Sequence, residues 1–253
     1  VRLCKRHFRD KENKTILEGF RAVKRATDTC FPILECFFCR DLFLRENEIP
    51  LIREIEKKGI PVYEVTASVF AKLAYRDRPE GLIAVAECKK HFIENLPVVH
   101  NGLYVVVENV EKPGNLGAVL RSADGAGANA VIVCDKKTDI YNPNVITAST
   151  GTIFTMPLAE TSSQIAYDWL KQNAITIIAA DPHSETLYYK ADLRKGTAIV
   201  LGAEQFGLSE FWKEHSDLVL KIPMKGLADS LNISSAATVL LFEAARQRDN
   251  QNH

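Results

Sequence analysis

Apolar residues in the second half of the chain fall into short runs separated by segments long enough to form helices. These runs cover residues 103–107, 130–133, 175–179, 198–201 and 218–222. Strands that are apolar at nearly every position are typical of a parallel sheet with helices on both faces. Ligands of such sheets bind beyond the carboxyl ends of the strands. We therefore expect the chemistry in the loops that follow Val107, Leu201 and Ile222.

The first half alternates shorter apolar runs with helical periodicity, which indicates a small α/β domain. The pattern predicts helices over 19–27, 50–58 and 67–75, strands over 33–38 and 81–86, and an extended segment over 62–65. A polar stretch near Pro97 breaks the periodicity and is interpreted as a linker. The predicted domains are 1–92 and 102–253, joined by a linker over 93–101.

Composition is that of a globular protein, with 46% hydrophobic and 25% charged residues among 253. No stretch approaches the roughly 18 apolar residues that a membrane helix requires. The run from Val1 to Arg9 is charged and is not typical of a signal peptide. We therefore expect a soluble cytoplasmic protein with no membrane association.

Charge is balanced overall, at 32 basic and 32 acidic residues, but residues 1–25 carry nine basic and three acidic side chains. This surplus could hold a phosphate backbone or could be a solvated helix face. The six cysteines have no regular spacing, so we expect free thiols. Cys36 and Cys39 have the spacing of a metal or redox site, but their apolar surroundings favour structural burial, and no metal is expected.

Two common enzyme motifs are excluded by their context. Residues 125–130 match the string of a dinucleotide-binding fingerprint, but they close a predicted helix instead of opening one after a strand. They are interpreted as a helix C-cap and tight turn. The nucleophile elbow of α/β-hydrolases, G-x-S-x-G, is not present in the sequence.

Three loop motifs, in this order, carry a specific resemblance. The first is N-x-G-x-x-x-R from Asn115 to Arg121, the second is G-A-E-x-x-G-L-S from Gly202, and the third is I-P-M-x-G-x-x-x-S-L-N-x-S-x-A from Ile222. Together they resemble the signature motifs of the SpoU (TrmH-type) RNA ribose 2′-O-methyltransferases, a branch of the SPOUT superfamily. The likeness spans about residues 104–248 and includes residues 139–144 and 151–157.

This resemblance implies an α/β fold whose C-terminal part forms a deep trefoil knot, a rare exception to the rule that chains do not thread loops. It implies S-adenosylmethionine as cofactor and a homodimer formed through the knotted domain. The N-terminal half is similar to the L30e-like domain that many members use to select RNA. That likeness rests on residues 16–23 and 80–86 and favours large-subunit ribosomal RNA as substrate.

The resemblance also implies the site residues. Five residues are expected to bind the cofactor: Leu201, Gly202, Ile222, Met224 and Leu231. Arg121 is expected at the ribose hydroxyl as base or electrostatic stabiliser, with Asn115 and Asn232 orienting it, Ser230 bonding a phosphate or Arg121, and Glu204 anchoring the site. Helix capping by Asn115, Ser230 and Asn232 is compatible with these roles.

Two positions depart from the family pattern, which often has Arg at Thr147 and Gly at Gln205. The first departure could remove a contact to RNA. Two alternatives to a ribosomal RNA methyltransferase stay open: a tRNA 2′-O-methyltransferase of the same family, and a non-catalytic RNA-binding assembly factor. The intact motif residues argue against the latter.

Overall fold

The computed structural model describes residues 2–203 and 205–249. Its strands, in chain order, are β1 (Lys14–Glu18), β2 (Ile33–Phe38), β3 (Val62–Glu64), β4 (Leu82–Glu87), β5 (Leu103–Glu108), β6 (Ala130–Cys134), β7 (Leu158–Thr161), β8 (Thr176–Ala180), β9 (Thr197–Leu201) and β10 (Leu218–Leu220). Its α-helices are α1 (Arg6–Glu12), α2 (Phe20–Asp28), α3 (Glu48–Lys57), α4 (Ala67–Leu73), α5 (Pro113–Gly125), α6 (Pro143–Ala148), α7 (Ser163–Gln172), α8 (Glu210–His215) and α9 (Ile233–Asp249). The predicted α/β class is confirmed.

Contacts divide the chain into two compact units. The N-terminal unit comprises the residues up to Lys90 together with Asp139–Thr155, and the C-terminal unit comprises His91–Thr138 and the residues from Met156 onward. These units are defined by contacts between residues and not by function. The domain boundaries proposed from the sequence therefore stay a prediction.

The N-terminal unit is built on a mixed sheet of order β1-β4-β2-β3, in which only β2 and β3 are parallel. The segment Asp139–Thr155 packs onto this sheet through polar contacts. Thr15 Oγ1 donates to the carbonyl of Tyr141 at 2.7 Å. The guanidinium of Arg9, only 3% exposed, pairs with Asp139 at 2.8 Å. One of the nine basic residues in the first 25 is therefore a buried structural residue.

The C-terminal unit is built on a six-stranded, fully parallel sheet of order β10-β8-β9-β5-β6-β7. Every residue of β5, β6 and β9 is buried, as expected for central strands covered on both faces. The five apolar runs in this half predicted five of its six strands. β7 was missed, because Leu158–Thr161 is short and carries two polar residues.

Gly125 ends α5 and Gly127 follows it in a helix C-cap, as predicted. Gly127 has a left-handed φ of +70°, and the N–H of Ala128 donates to the carbonyl of Ala123 at 2.9 Å. This is the hydrogen-bond pattern of a Schellman motif, which glycine favours because it has no Cβ. The dinucleotide-binding interpretation is thereby excluded.

All six cysteines are free thiols. Cys36 and Cys39 are buried in the N-terminal unit, and burial raises the pKa of the Cys36 thiol to about 12. A thiol held protonated, as at Cys36, is a poor metal ligand or nucleophile, and the burial of both side chains agrees with a structural role. Within residues 2–203 and 205–249, no helix is long and apolar enough to cross a membrane.

Candidate active site

A cavity of about 370 Å³ lies where three adjacent strands of the parallel sheet end. Ala180, Leu201 and Leu220, the last residues of β8, β9 and β10, line it. Its volume lies in the range of small-molecule pockets. All five predicted cofactor residues, and the predicted catalytic residue Ser230, are among its walls: Leu201, Gly202, Ile222, Met224, Ser230 and Leu231.

Gly202 is required by the packing of the loop after β9. A Cβ atom built on Gly202 would lie 2.2 Å from the backbone of Gly207 and Leu208. The N–H of Gly207 donates to the carbonyl of Ala203 at 2.9 Å, which closes the loop on itself. Gly207 has a left-handed φ of +67°. The chain therefore turns back against Gly202, and the wall of the cavity at this point is backbone.

A buried polar network fixes the end of this loop to the central strand β5. The carboxylate of Glu108, which is 3% exposed, accepts the N–H of Ser209 at 3.0 Å and lies 3.2 Å from Ser163 Oγ. Ser163 Oγ also lies 2.6 Å from Asp135 and accepts from the indole of Trp212 at 3.0 Å. Glu108, Ser163 and Trp212 are thus joined by hydrogen bonds that cross three elements, although the buried Ser209 hydroxyl itself has no partner among the described residues. The sequence analysis missed it, although a lone Glu at the end of an apolar strand is a signal for one.

Asn115 and Asn232 meet across α5 and α9. The side-chain amide of Asn232 donates to Asn115 Oδ1 at 3.2 Å. Its own Oδ1 accepts from the N–H and the hydroxyl of Ser234, at 3.0 and 2.7 Å, which caps α9. Asn232 therefore caps a helix and orients a second amide at the same time. Ser122 and Thr238, whose hydroxyls lie 2.7 Å apart, join the same two helices further along.

Arg121 precedes Ser122 on α5 and is exposed. In the part of the chain that the structure describes, its guanidinium makes no hydrogen bond or ion pair. Among the described residues this exposed guanidinium therefore has no partner, and a cation on a helix can stabilise an anion or a developing negative charge. Glu204, the fifth predicted catalytic residue, lies outside the described residues.

The two departures from the family pattern have different surroundings. Thr147 lies on α6 in the N-terminal unit, where its hydroxyl accepts from Arg76 Nη2 at 3.1 Å. Where the family often has an arginine at this position, Arg76 here places its guanidinium beside Thr147. Gln205 is exposed and lines the cavity after β9.

Comparison with known families agrees with the motifs. Residues 102–242 match the SpoU rRNA methylase family, and residues 1–84 match the MRM3-like substrate-binding domain. The first match alone covers more than half of the chain.

Individual relatives match over most of the chain. It is 28% identical to the 23S rRNA (uridine(2479)-2′-O)-methyltransferase of Streptomyces viridochromogenes, over 97% of this chain and 87% of that protein. It is 37% identical to the 23S rRNA (guanosine-2′-O-)-methyltransferase RlmB of Xylella fastidiosa (strain 9a5c), over 76% of this chain and 80% of that protein.

A solved structure is similar along the whole chain. The SpoU methyltransferase AviRb from Streptomyces viridochromogenes, in complex with the cofactor AdoMet, aligns with a TM-score of 0.88 and 28% identity, covering 98% of this chain and 96% of that one. The resemblance inferred from the three motifs is confirmed, and the chain belongs to the SpoU rRNA methylase family.

Proposed function

We propose that this protein transfers a methyl group from S-adenosylmethionine to a ribose 2′-hydroxyl of 23S-type ribosomal RNA. The observation that carries the proposal is the convergence of the second and third motifs on one cavity at the carboxyl ends of β8, β9 and β10. A cavity at this edge is where a parallel α/β sheet binds its ligand.

The cavity fits the cofactor. Its walls combine aliphatic side chains of Leu201, Ile222 and Leu231 with the backbone at Gly202, where no side chain separates the chain from a ligand. Aliphatic surfaces can enclose an adenine ring while backbone groups bond its edge. When bound, S-adenosylmethionine supplies a methyl group made electrophilic by the sulfonium. We assign Leu201, Gly202, Ile222, Met224 and Leu231 to cofactor binding.

The remaining motif residues handle the ribose. A 2′-hydroxyl is a weak acid, so its oxygen must be stabilised as it loses a proton. A guanidinium is normally protonated at neutral pH, which favours Arg121 as an electrostatic stabiliser over a base. Asn232 is fixed by its cap on α9 and by its bond to Asn115. We assign this pair to orienting the nucleotide and, in the complex with RNA, Arg121. Ser230 contributes a hydroxyl for a phosphate or Arg121, and Glu204 anchors the site.

Ribosomal RNA is favoured as substrate by two features. The two curated relatives act on 23S rRNA by name, at uridine and at guanosine, and residues 1–84 match a substrate-binding domain. The N-terminal unit also carries exposed basic residues, including Arg2, Lys5 and Arg6, that suit a phosphate backbone. We further propose that the protein forms a homodimer through residues 102–253. We also propose that this part of the chain forms the trefoil knot of the family and that the protein is cytoplasmic. These three points stay predictions.

The test is methyl transfer to separate RNA pools. Purified protein is incubated with tritiated S-adenosylmethionine and either unmodified 23S rRNA transcript or unmodified tRNA. We expect label in the 23S rRNA only. Label in tRNA alone would replace the proposed substrate by the tRNA alternative. No label in either pool, despite measurable cofactor binding, would favour a non-catalytic RNA-binding factor.

A further inference from the structure

Glu108 ends the central strand β5, whose other residues are all aliphatic or aromatic. Its side chain is almost completely buried. Removing a carboxylate from water costs free energy, and an apolar side chain of similar volume at such a position is often neutral or stabilising. Packing of the parallel sheet therefore does not explain why an acid stands at this position.

One carboxylate oxygen of Glu108 holds the end of the loop that follows β9. Its Oε2 accepts the N–H of Ser209 at 3.0 Å. Ser209 follows Leu208, which is buried and lines the cavity at the ends of β8, β9 and β10. A Cβ built on Gly202 would lie 2.2 Å from the backbone nitrogen of Leu208. The bond to Glu108 is thus one residue away from a close backbone contact in the cavity wall.

The other carboxylate oxygen belongs to a second connection to the same part of the chain. Glu108 Oε1 lies 3.2 Å from the hydroxyl of Ser163, and that hydroxyl accepts the indole N–H of Trp212 at 3.0 Å. Trp212 is fully buried on α8, three residues after Ser209. Asp135 fixes Ser163 by accepting its backbone N–H at 3.1 Å. The end of the loop is therefore held at two points.

The loop between β9 and Ser209 forms a large part of the cavity wall. All of its described residues before Ser209, namely 202, 203 and 205–208, line the cavity. At Gly202 the wall is backbone, so its shape depends on where the loop lies and not on a side chain that can adjust. A site held in place before binding loses less freedom when the ligand enters. The bond that fixes this loop should therefore affect the affinity of the cavity.

We propose that Glu108 is a positioning residue for the cofactor, because its bond to the N–H of Ser209 holds the loop after β9 in the conformation that encloses S-adenosylmethionine. Glu108 does not line the cavity and acts only through the loop. The inference rests on the proposed function, since it concerns the cofactor assigned there. It extends the site to a residue outside the three signature motifs.

Two substitutions of similar volume separate the hydrogen bond from packing and charge. Glu108→Gln loses the charge but keeps an oxygen that can accept the N–H of Ser209, and its amide can donate to Ser163. Glu108→Met keeps the length of the side chain and removes both polar atoms. In isothermal titration with S-adenosylmethionine, Glu108→Gln should bind within about threefold of the unmodified protein. Glu108→Met should bind at least about tenfold more weakly, a typical effect of leaving a buried N–H without an acceptor. Equal affinities in the two variants would overturn the proposal.

Thr197→Val is the matched control for the loss of a buried polar contact in the same sheet. Thr197 is fully buried at the amino end of β9, its hydroxyl donates to the carbonyl of Lys195 at 2.8 Å, and it does not line the cavity. This variant should unfold at a lower temperature but bind the cofactor normally. If it loses as much affinity as Glu108→Met, the effect is a general consequence of destabilising the sheet and the positioning role is wrong.

Turnover provides a readout that a general loss of stability does not change. In the described part of the chain, Glu108 and its bonded partners make no hydrogen bond to Arg121. Glu108→Met should therefore raise KM for the cofactor by at least about tenfold, and should leave kcat at saturating cofactor within about threefold. A lowered kcat with an unchanged KM would assign Glu108 to the chemical step and contradict the proposal.

Ser163→Ala decides the matter if Glu108→Met does not fold. It removes the hydroxyl between Glu108 and Trp212 but keeps the backbone N–H that Asp135 accepts. The loop then loses one of its two connections, so cofactor affinity should fall about threefold or more. In that case, an affinity equal to that of the unmodified protein would overturn the proposal.

Cofactor binding is measured without RNA, so the two proposals can fail separately. If 23S rRNA accepts label but Glu108→Met binds the cofactor as well as Glu108→Gln does, the positioning role is wrong and the proposed function stands. If Glu108→Met alone loses affinity but no RNA accepts label, the proposed methyl transfer fails and the positioning role stands.

Discussion

Glu108 illustrates how a single side chain can support the site without facing the ligand. Its carboxylate ends an otherwise apolar strand and accepts the N–H of Ser209, the last residue of the second motif. Trp212 and Ser163 complete the network from more than 50 positions away in sequence. The loop that carries Gly202 is thereby fixed relative to the centre of the sheet.

Removing the Arg121 side chain should lower the rate of methyl transfer but leave the affinity for the cofactor nearly unchanged. Arg121→Ala should lower methyl transfer by at least about 100-fold, the typical loss for one electrostatic stabiliser and equivalent to about 2.7 kcal/mol. Cofactor affinity should stay within a few fold, because Arg121 does not line the cavity. Single-turnover kinetics with 23S rRNA and cofactor titration measure the two quantities.

The control for Arg121→Ala is Lys190→Ala, which removes an exposed positive charge from the same unit. It should change the transfer rate less than about threefold, since exposed charges act weakly at a distance in salt. Both variants should unfold at nearly the temperature of the unmodified protein, because neither side chain is buried. Full turnover in Arg121→Ala would remove Arg121 from the mechanism.

At the level of single residues, the ordered motifs predicted which residues line the cavity, which hydrophobic periodicity could not do. Leu201, Ile222 and Leu231 are individually indistinguishable from core residues, and only their place in an ordered motif assigned them to one cavity. Glu18 and Glu48 could not be predicted in this way. Glu18, for example, bonds the N–H groups of Tyr75 and Arg76, 57 and 58 residues further along the chain, which local periodicity does not record.

At the level of elements, strands buried on both faces were predictable because every position is apolar, as in Leu103–Glu108 up to its final Glu. β1 was missed because its five residues start and end with charged side chains. The helix α3 begins at Glu48, two residues before the predicted start, since the acidic side chain at a helix N-terminus gives no apolar signal.

The long helix α9 is fixed at both ends, which positions the third motif that precedes it. Asn232 caps its start and pairs with Asn115. Near its end, Arg248 donates to the carbonyls of Asn101 and Lys195, at 2.6 and 2.7 Å. Burial lowers the pKa of this guanidinium, but its carbonyl partners supply acceptors for its donors.

The loop after β9 should tolerate no side chain at its first residue. Gly202→Ala places a Cβ 2.2 Å from the backbone of Gly207, so the loop must move. Cofactor affinity should fall by more than about tenfold, equivalent to 1.4 kcal/mol. Isothermal titration with S-adenosylmethionine measures this loss.

Gly196→Ala is the matched control for this loop. Gly196 precedes the same strand, and a Cβ there would lie 3.8 Å from its nearest neighbour, an ordinary contact. This variant should bind the cofactor normally. Equal affinities in the two variants would mean that the backbone at Gly202 does not form part of the cofactor site.

At the scale of the whole molecule, two units carry two kinds of site. The C-terminal unit holds a cavity lined by motif residues, and the N-terminal unit holds a second cavity whose lining includes Glu18, Arg21 and Arg45. The segment Asp139–Thr155 belongs by contacts to the N-terminal unit, although it lies between β6 and β7 of the parallel sheet. Sequence order alone did not predict this assignment, because the contacts that join the segment to the N-terminal unit, such as Arg9–Asp139 and Thr15–Tyr141, link residues more than 120 positions apart.

The measurement that tests the central claim most directly is the chemical position of the transferred methyl group. 23S rRNA labelled by the enzyme with tritiated S-adenosylmethionine is hydrolysed in alkali, which cleaves every linkage that retains a free 2′-hydroxyl. Ribose methylation predicts that the label is recovered in an alkali-stable dinucleotide. Label recovered in mononucleotides would place the methyl group on a base and would contradict the account.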